Sequence, residues 1–240
     1  MRIVYIFSLF LLVILAIIGY GIAVDRKEYA VLDKAKDTAA RQRFYRKWIA
    51  TSWLFYGLPS IVGLLILSKM GVDISLPEVG VNLVPAAVSV SVIVLLLTVA
   101  TLVQAKRASA DDRKKVQQEI NQVSGGSIIA RNSSERRLAA VLSLSAGINE
   151  ELFFRAFLPV VIIGLIGSDL AILAIVISVV IFGAVHLYQG LRGIMLTGII
   201  GVVMMVVYLA MGSIFWPIIL HIIMDIRSTV VISYLAYGNK

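Results

Sequence analysis

The chain has 240 residues, of which 60% are apolar and only 15% charged, a composition too apolar for an ordinary soluble domain and suited to a bilayer. Its net charge of +8 does not point to nucleic acid, because sixteen of the twenty-two Lys and Arg fall in two blocks, Asp25 to Lys47 and Lys106 to Arg137, as loops held on the cytoplasmic side do. Cysteine is absent, which excludes disulfides, thiolate metal sites and a cysteine nucleophile.

Taken in chain order, the apolar runs predict an all-α fold, a polytopic transmembrane helical bundle of about seven spans in a single membrane domain. The first run, Ile3 to Val24, is longer than a signal-peptide core and reads as a retained helix. Further spans are expected at Trp48 to Ser68, Val81 to Val103, Leu138 to Ile166, Leu170 to Leu187, Gly193 to Met211 and Ile214 to Ala236. With both basic blocks inside, the N-terminus falls outside and the C-terminus, with Lys240, inside. The Lys69 to Pro77 loop, poor in Lys and Arg, then lies outside. Residues 1–105 are thus accessory spans carrying a basic cytoplasmic loop over 25–47. Residues 106–137 form a second such loop, and 138–240 a four-helix core.

The two loops differ in grammar. Arg41-Gln-Arg-Phe-Tyr-Arg-Lys-Trp48 mixes cations with aromatics before a span, as interfacial anchors do. The second loop holds Ser124-Gly-Gly-Ser127, a flexible break. Asn132 follows, with Glu135 three residues on, an N-cap pairing that starts the fourth helix in the cytoplasm. Gly198 and Gly201 in the sixth span suit close helix packing.

Strongly polar residues inside the spans are few: Glu150, Glu151, Arg155, His186, His221, Asp225 and Arg227. Each costs on the order of 3 kcal/mol at mid-helix unless satisfied, so the cluster calls for a function. Glu151 and Arg155 are i and i+4 with the acid first, and can pair on one face. Glu150 is about 100° around the helix from Glu151 and about 140° from Arg155, which leaves it free to face a cavity as general base beside an imidazole. His221 and Asp225 are also i and i+4, so the carboxylate can orient the ring. Phe182 and His186 stand in the same relation, the phenyl ring packing on the imidazole. Arg227 lies near the inner end of its span and snorkels.

No H-E-x-x-H helix is present, no G-x-S-x-G surrounds a serine, and a paired-aspartate mechanism fails because Asp225 is the only aspartate well inside a span. Two chemistries remain open. One is water activated by Glu150 with histidine help; the other is a divalent metal such as zinc held by some of Glu150, Glu151, His186 and His221. No cofactor is required by the first.

Glu150-Glu151-Leu-Phe-Phe-Arg155 resembles the E-E-x-x-x-R motif of the CPBP intramembrane protease family, the CaaX-protease and bacteriocin-processing group also called Abi proteins. Phe182-Gly-Ala-Val-His186 resembles its F-x-x-x-H motif, and His221-Ile-Ile-Met-Asp225 its H-x-x-x-N/D motif, in the same order on separate spans. The resemblance covers about the C-terminal third of the chain. It implies a glutamate-dependent intramembrane endopeptidase in the cell membrane, related to the enzyme that trims prenylated CaaX proteins. Its partners would be the lipid bilayer and a membrane-associated peptide or protein. By the same resemblance Glu150 and His186 activate the attacking water, His221 and residue 225 stabilise the oxyanion, and Glu151, Arg155 and Phe182 support them. The CaaX enzymes carry Asn at the last position. Either Asp225 is protonated and donates, or it orients His221.

Depth sets a condition on this assignment. A fourth helix entering the membrane at Leu138 puts Glu150 about 18 Å deep, out of reach of His186, whereas one starting near Asn132 and entering near Leu144 puts it at about 9 Å. The competing functions are a proton- or ion-coupled transporter and a non-catalytic immunity or scaffold protein that keeps the motif as a polar network. The orientation is testable because the chain has no cysteine of its own: single cysteines introduced at Asp112 should resist an impermeant thiol reagent in intact cells. Strong labelling there would overturn the topology.

Overall fold

The computed structural model describes residues 2–35, 37–77, 80–123 and 125–239, so Ser124 of the expected flexible break and Lys240 lie outside the described residues. Those residues are almost entirely helical, in the order α1 (Arg2–Lys34), α2 (Thr38–Ser52), α3 (Leu58–Lys69), α4 (Val84–Arg107), α5 (Ala110–Gln122), α6 (Ser133–Glu151), α7 (Leu158–Ile166), α8 (Ala171–Val185), α9 (Gly190–Met211), α10 (Phe215–Ile226) and α11 (Ile232–Tyr237). Wide π-turns at Trp53–Gly57, Leu152–Phe157 and Arg227–Val231 join α2 to α3, α6 to α7 and α10 to α11 without a loop. Such turns insert a residue into the helical ladder and re-aim the side chains beside it.

Among the described residues five stretches are long and apolar enough to cross a membrane: Ile3–Lys34, Thr38–Lys69, Val84–Arg107, Ser168–Met211 and Phe215–Tyr237. One of the seven expected spans is missing from that set, and two others are merged in it. The stretch 138–166 carries Glu150, Glu151 and Arg155 close together, and α8 and α9 fall in one apolar stretch broken at His186–Gln189. Gly190 allows that break, since it has φ +75°, a backbone conformation disfavoured for residues with a Cβ.

Both basic blocks were expected as loops, and both are largely helix. α1 runs on to Lys34 and α2 begins at Thr38, with Asp37 as N-cap accepting from the Ala40 N–H at 2.7 Å. Within 106–137, α5 opens on a reciprocal capping box between Ser109 and Asp112, whose hydrogen bonds hold the Asp112 carboxyl below the usual range. Apolar periodicity cannot see such segments, although Ala, Lys, Arg and Gln are good helix formers.

Arg41 was expected at the membrane interface, but it is fully buried. Its guanidinium bonds Glu135 at 2.9 Å, the Ser127 and Ile129 carbonyls at 2.9 and 2.8 Å, and the Tyr45 hydroxyl at 3.1 Å. Glu135 is also the residue whose N–H donates to the Asn132 side chain at 3.0 Å, so one buried pair fixes the N-terminus of α6 where the Asn132 pairing had put it. Arg227, expected to snorkel, donates to the Thr101 hydroxyl of α4 at 3.1 Å.

Small residues let the helices close around the site. Gly147 of α6 meets Ile222 of α10, Gly183 of α8 meets Gly198 of α9, Gly201 faces the Phe182 ring, and Gly63 of α3 faces the Phe157 ring. A Cβ on Gly63 would fall 2.3 Å from that buried ring. Gly63→Ala should therefore cost about 1–3 kcal/mol by overpacking and lower the unfolding temperature in detergent. Gly19→Ala, where nothing lies within 4 Å, should not. Equal unfolding temperatures for the two variants would contradict this packing.

Candidate active site

Glu150 and Glu151 close α6 just before the π-turn that holds Arg155. His186 sits where α8 tightens into a 3₁₀ turn, and His221 and Asp225 stand on α10. Glu150, His186, His221 and Asp225 all line one cavity of about 300 Å³, whereas Glu151 and Arg155 lie outside it. α6 starts at Ser133, beside the expected Asn132 cap, and Glu150 and His186 share a cavity wall.

Glu151 is fully buried and bridges two cations or potential cations. Its Oε2 lies 3.2 Å from Arg155 Nε, the i to i+4 pairing expected, and its Oε1 accepts from His221 Nδ1 at 2.6 Å. The Arg155 contact is an ion pair not aligned as a hydrogen bond, and the Arg155 guanidinium lies 3.9 Å over the Phe182 ring. Phe182 in turn packs on His186, with ring centroids 4.9 Å apart, as the i, i+4 spacing proposed.

His186 Nδ1 lies 2.8 Å from the Phe182 carbonyl, to which it donates. This contact selects the tautomer that leaves Nε2 as an acceptor. His221 is tied back through Nδ1 as well, by Glu151. Its Nε2 is 3.7 Å from Asp225 Oδ2 and 4.0 Å from Glu150 Oε2. Asp225 was one candidate for orienting His221. The hydrogen bond that does so belongs to Glu151, and Asp225 is too distant to make one.

Among the described residues no group of three or more His, Asp or Glu is disposed to hold a metal ion. No step below passes through one.

Sequence reasoning did not find the Glu151–His221 contact, or the cavity's outer wall of Asp25, Glu28, Lys47 and Tyr56. These come from helices remote in sequence, and no local spacing signals them.

An apolar helical bundle with carboxylates and imidazoles gathered at one internal cavity defines an integral membrane protein with an acid–imidazole centre. Residues 133–227, about two fifths of the chain and including every residue of that centre, match the family model described as Type II CAAX prenyl endopeptidase Rce1-like. The match supports the resemblance noted above to the CPBP/CaaX family of intramembrane proteases. It does not favour a transporter or a scaffold. No curated protein and no solved structure matches the chain.

The bridge makes a thermodynamic prediction. Arg155→Ala leaves Glu151 buried without its cation and should destabilise by about 3–5 kcal/mol, seen as low folded yield. Adding Glu151→Gln, which removes that charge while keeping an acceptor for His221, should restore part of the loss. Additive effects in the cycle would sink the bridge.

Proposed function

We propose that the protein is a glutamate-dependent intramembrane endopeptidase of the CPBP/CaaX type. In this reading it resides in the cell membrane with both basic segments on the cytoplasmic side, and cuts a membrane-associated, in the CaaX manner prenylated, peptide or protein. One observation carries the reading: four groups able to share a hydrolytic cycle line a single cavity, and both imidazoles are tied back through Nδ1 so that Nε2 remains for chemistry.

In this reading a water sits between Glu150 and the Nε2 acceptor of His186. Glu150 removes a proton as the water oxygen bonds to the scissile carbonyl carbon. The carbonyl oxygen becomes an oxyanion, which takes a hydrogen bond from protonated His221 Nε2 and from residue 225. Glu150 then returns its proton to the amine nitrogen as the C–N bond breaks, giving a carboxyl and an amine terminus. Glu151 is a positioning residue that holds His221. Because Glu151 holds the ring, the geometry favours Asp225 as a protonated donor to the oxyanion rather than as the residue that orients His221.

Purified protein, in detergent with prenylated CaaX-type peptides and their unprenylated counterparts, tests the reading by mass spectrometry of the products. Glu150→Gln should fold normally and lose about 10²–10⁴-fold in turnover. Cleavage by Glu150→Gln at the parent rate would end the general-base assignment. Asp225→Asn keeps a donor and should stay within about threefold of the parent, while Asp225→Ala should lose about 10²-fold. Collapse of Asp225→Asn to the Ala level would reject the donor role.

A further inference from the structure

The cavity extends well beyond the acid–imidazole centre, and its outer part is built by α1, α2 and the π-turn after α2, all outside the matched region. Its charge runs against that of the chain. Among the described residues, the carboxylates of Asp25, Glu28, Glu150 and Asp225 line it against one fully cationic side chain, Lys47, although the whole chain carries +8. Lys47 is committed, since its Nζ lies 2.7 Å from Glu28 Oε1. Asp25 makes no hydrogen bond or ion pair with another described residue, and it faces the cavity.

Next to Asp25 the wall is indented. Gly21, one turn earlier on α1, has no side chain, and the Tyr56 hydroxyl and Asp25 Oδ2 converge on the space it leaves. They lie 3.2 and 3.7 Å from the position a Cβ on Gly21 would take. The Tyr56 hydroxyl also makes no hydrogen bond with another described residue, and Tyr56 lines the same cavity as Glu150. A niche with an unpaired carboxylate, an unpaired hydroxyl and a glycine floor offers two acceptors to a group that brings several N–H donors and a positive charge. An alkylammonium or guanidinium meets that description, and a carboxylate or phosphate would be repelled.

We propose that Asp25, Tyr56 and Gly21 form a specificity subsite for a cationic group of the substrate, a Lys or Arg side chain or a free α-amino group, beside the bond to be cut. The proposal rests on the endopeptidase reading for its biological setting and concerns binding, so the two can fail separately. The helices outside the matched region then select substrate, while the matched helices carry the chemistry. The mixed wall suits such a substrate, since Ile17, Val24, Phe55 and Phe154 offer apolar surface beside the carboxylates.

The test uses the full chain in detergent and a set of fluorescent, N-acetylated, prenylated CaaX-type peptides. Each carries a single Lys, moved one position at a time, against the same peptide with norleucine there, and a free-amine version tests the N-terminal alternative. Binding is read by anisotropy on Glu150→Gln protein, so that nothing is cut, and cleavage on the parent. One Lys position, or the free amine, should bind about tenfold more tightly than its neutral partner, a preference that weakens as salt is raised. Asp25→Asn should abolish the preference, Asp25→Glu should retain it, and Gly21→Ala should weaken it by filling the niche. Unfolding temperatures report whether each variant is folded. Equal binding of charged and neutral peptides, absence of binding by every peptide, or a preference that survives Asp25→Asn in folded protein would overturn the subsite. A preference that obeys these rules with no cleavage by the parent would leave the subsite standing and remove the endopeptidase reading.

Discussion

Glu151 has no access to solvent, and its two carboxylate oxygens are taken by Arg155, one turn along its own helix, and by His221, from α10. Removing such charges from water costs several kcal/mol per ion, which is offset only if the geometry brings the partners together. The rest of the site follows from that requirement. α10 must lie against α6, and it does so where Gly147 admits Ile222, while in the π-turn after α10 the Thr229 hydroxyl shares a hydrogen bond with Ser143 of α6 at 3.0 Å. Arg155 must be covered, and Phe182 covers it, which fixes α8 and with it His186. Glu150, one residue before Glu151, is thereby turned to the cavity while its neighbour is sealed away.

A second buried ion pair, Arg41 with Glu135, plays the matching role at the other end of α6. It ties α2 to the carbonyls of Ser127 and Ile129 and to the helix start at Ser133. Towards the end of α6 that carries Glu150, the Asn149 amide donates to Ser52 at 2.7 Å, and the indole of Trp53, in the π-turn after α2, donates to Ser145 at 3.2 Å. α2 is therefore attached along the length of the helix that carries Glu150. The N-terminal helices supply one wall of the cavity, and their attachment sets where that wall stands relative to the acid–imidazole centre.

The π-turns fall at Tyr56, at Arg155 and just after Asp225. In an apolar bundle every backbone polar group must find a partner internally, so a helix can be re-aimed by an inserted residue but hardly by an open loop.

Much of this protein was legible in its sequence because the relevant physics is local. Apolar runs must be helices if they are to satisfy their backbone in a bilayer, and the spacings Glu151 to Arg155 and Phe182 to His186 place those pairs on common helix faces before any fold is known. The three motifs named the family that the match over 133–227 then supported. What the sequence could not decide is which helix meets which. Asp225 and Glu151 were both eligible to hold His221 by charge, and only the approach of α6 to α10 put Glu151 at 2.6 Å and Asp225 at 3.7 Å. Arg41 read as an interfacial cation because nothing in its neighbourhood reveals a carboxylate ninety-four positions away. The basic segments read as loops because polar helices show no apolar stripe, and Asp25 belonged to one of them until α1 carried it to the cavity. Contacts between distant residues depend on how all the helices share a limited interior, and that is a property of the packed bundle rather than of any window of its sequence.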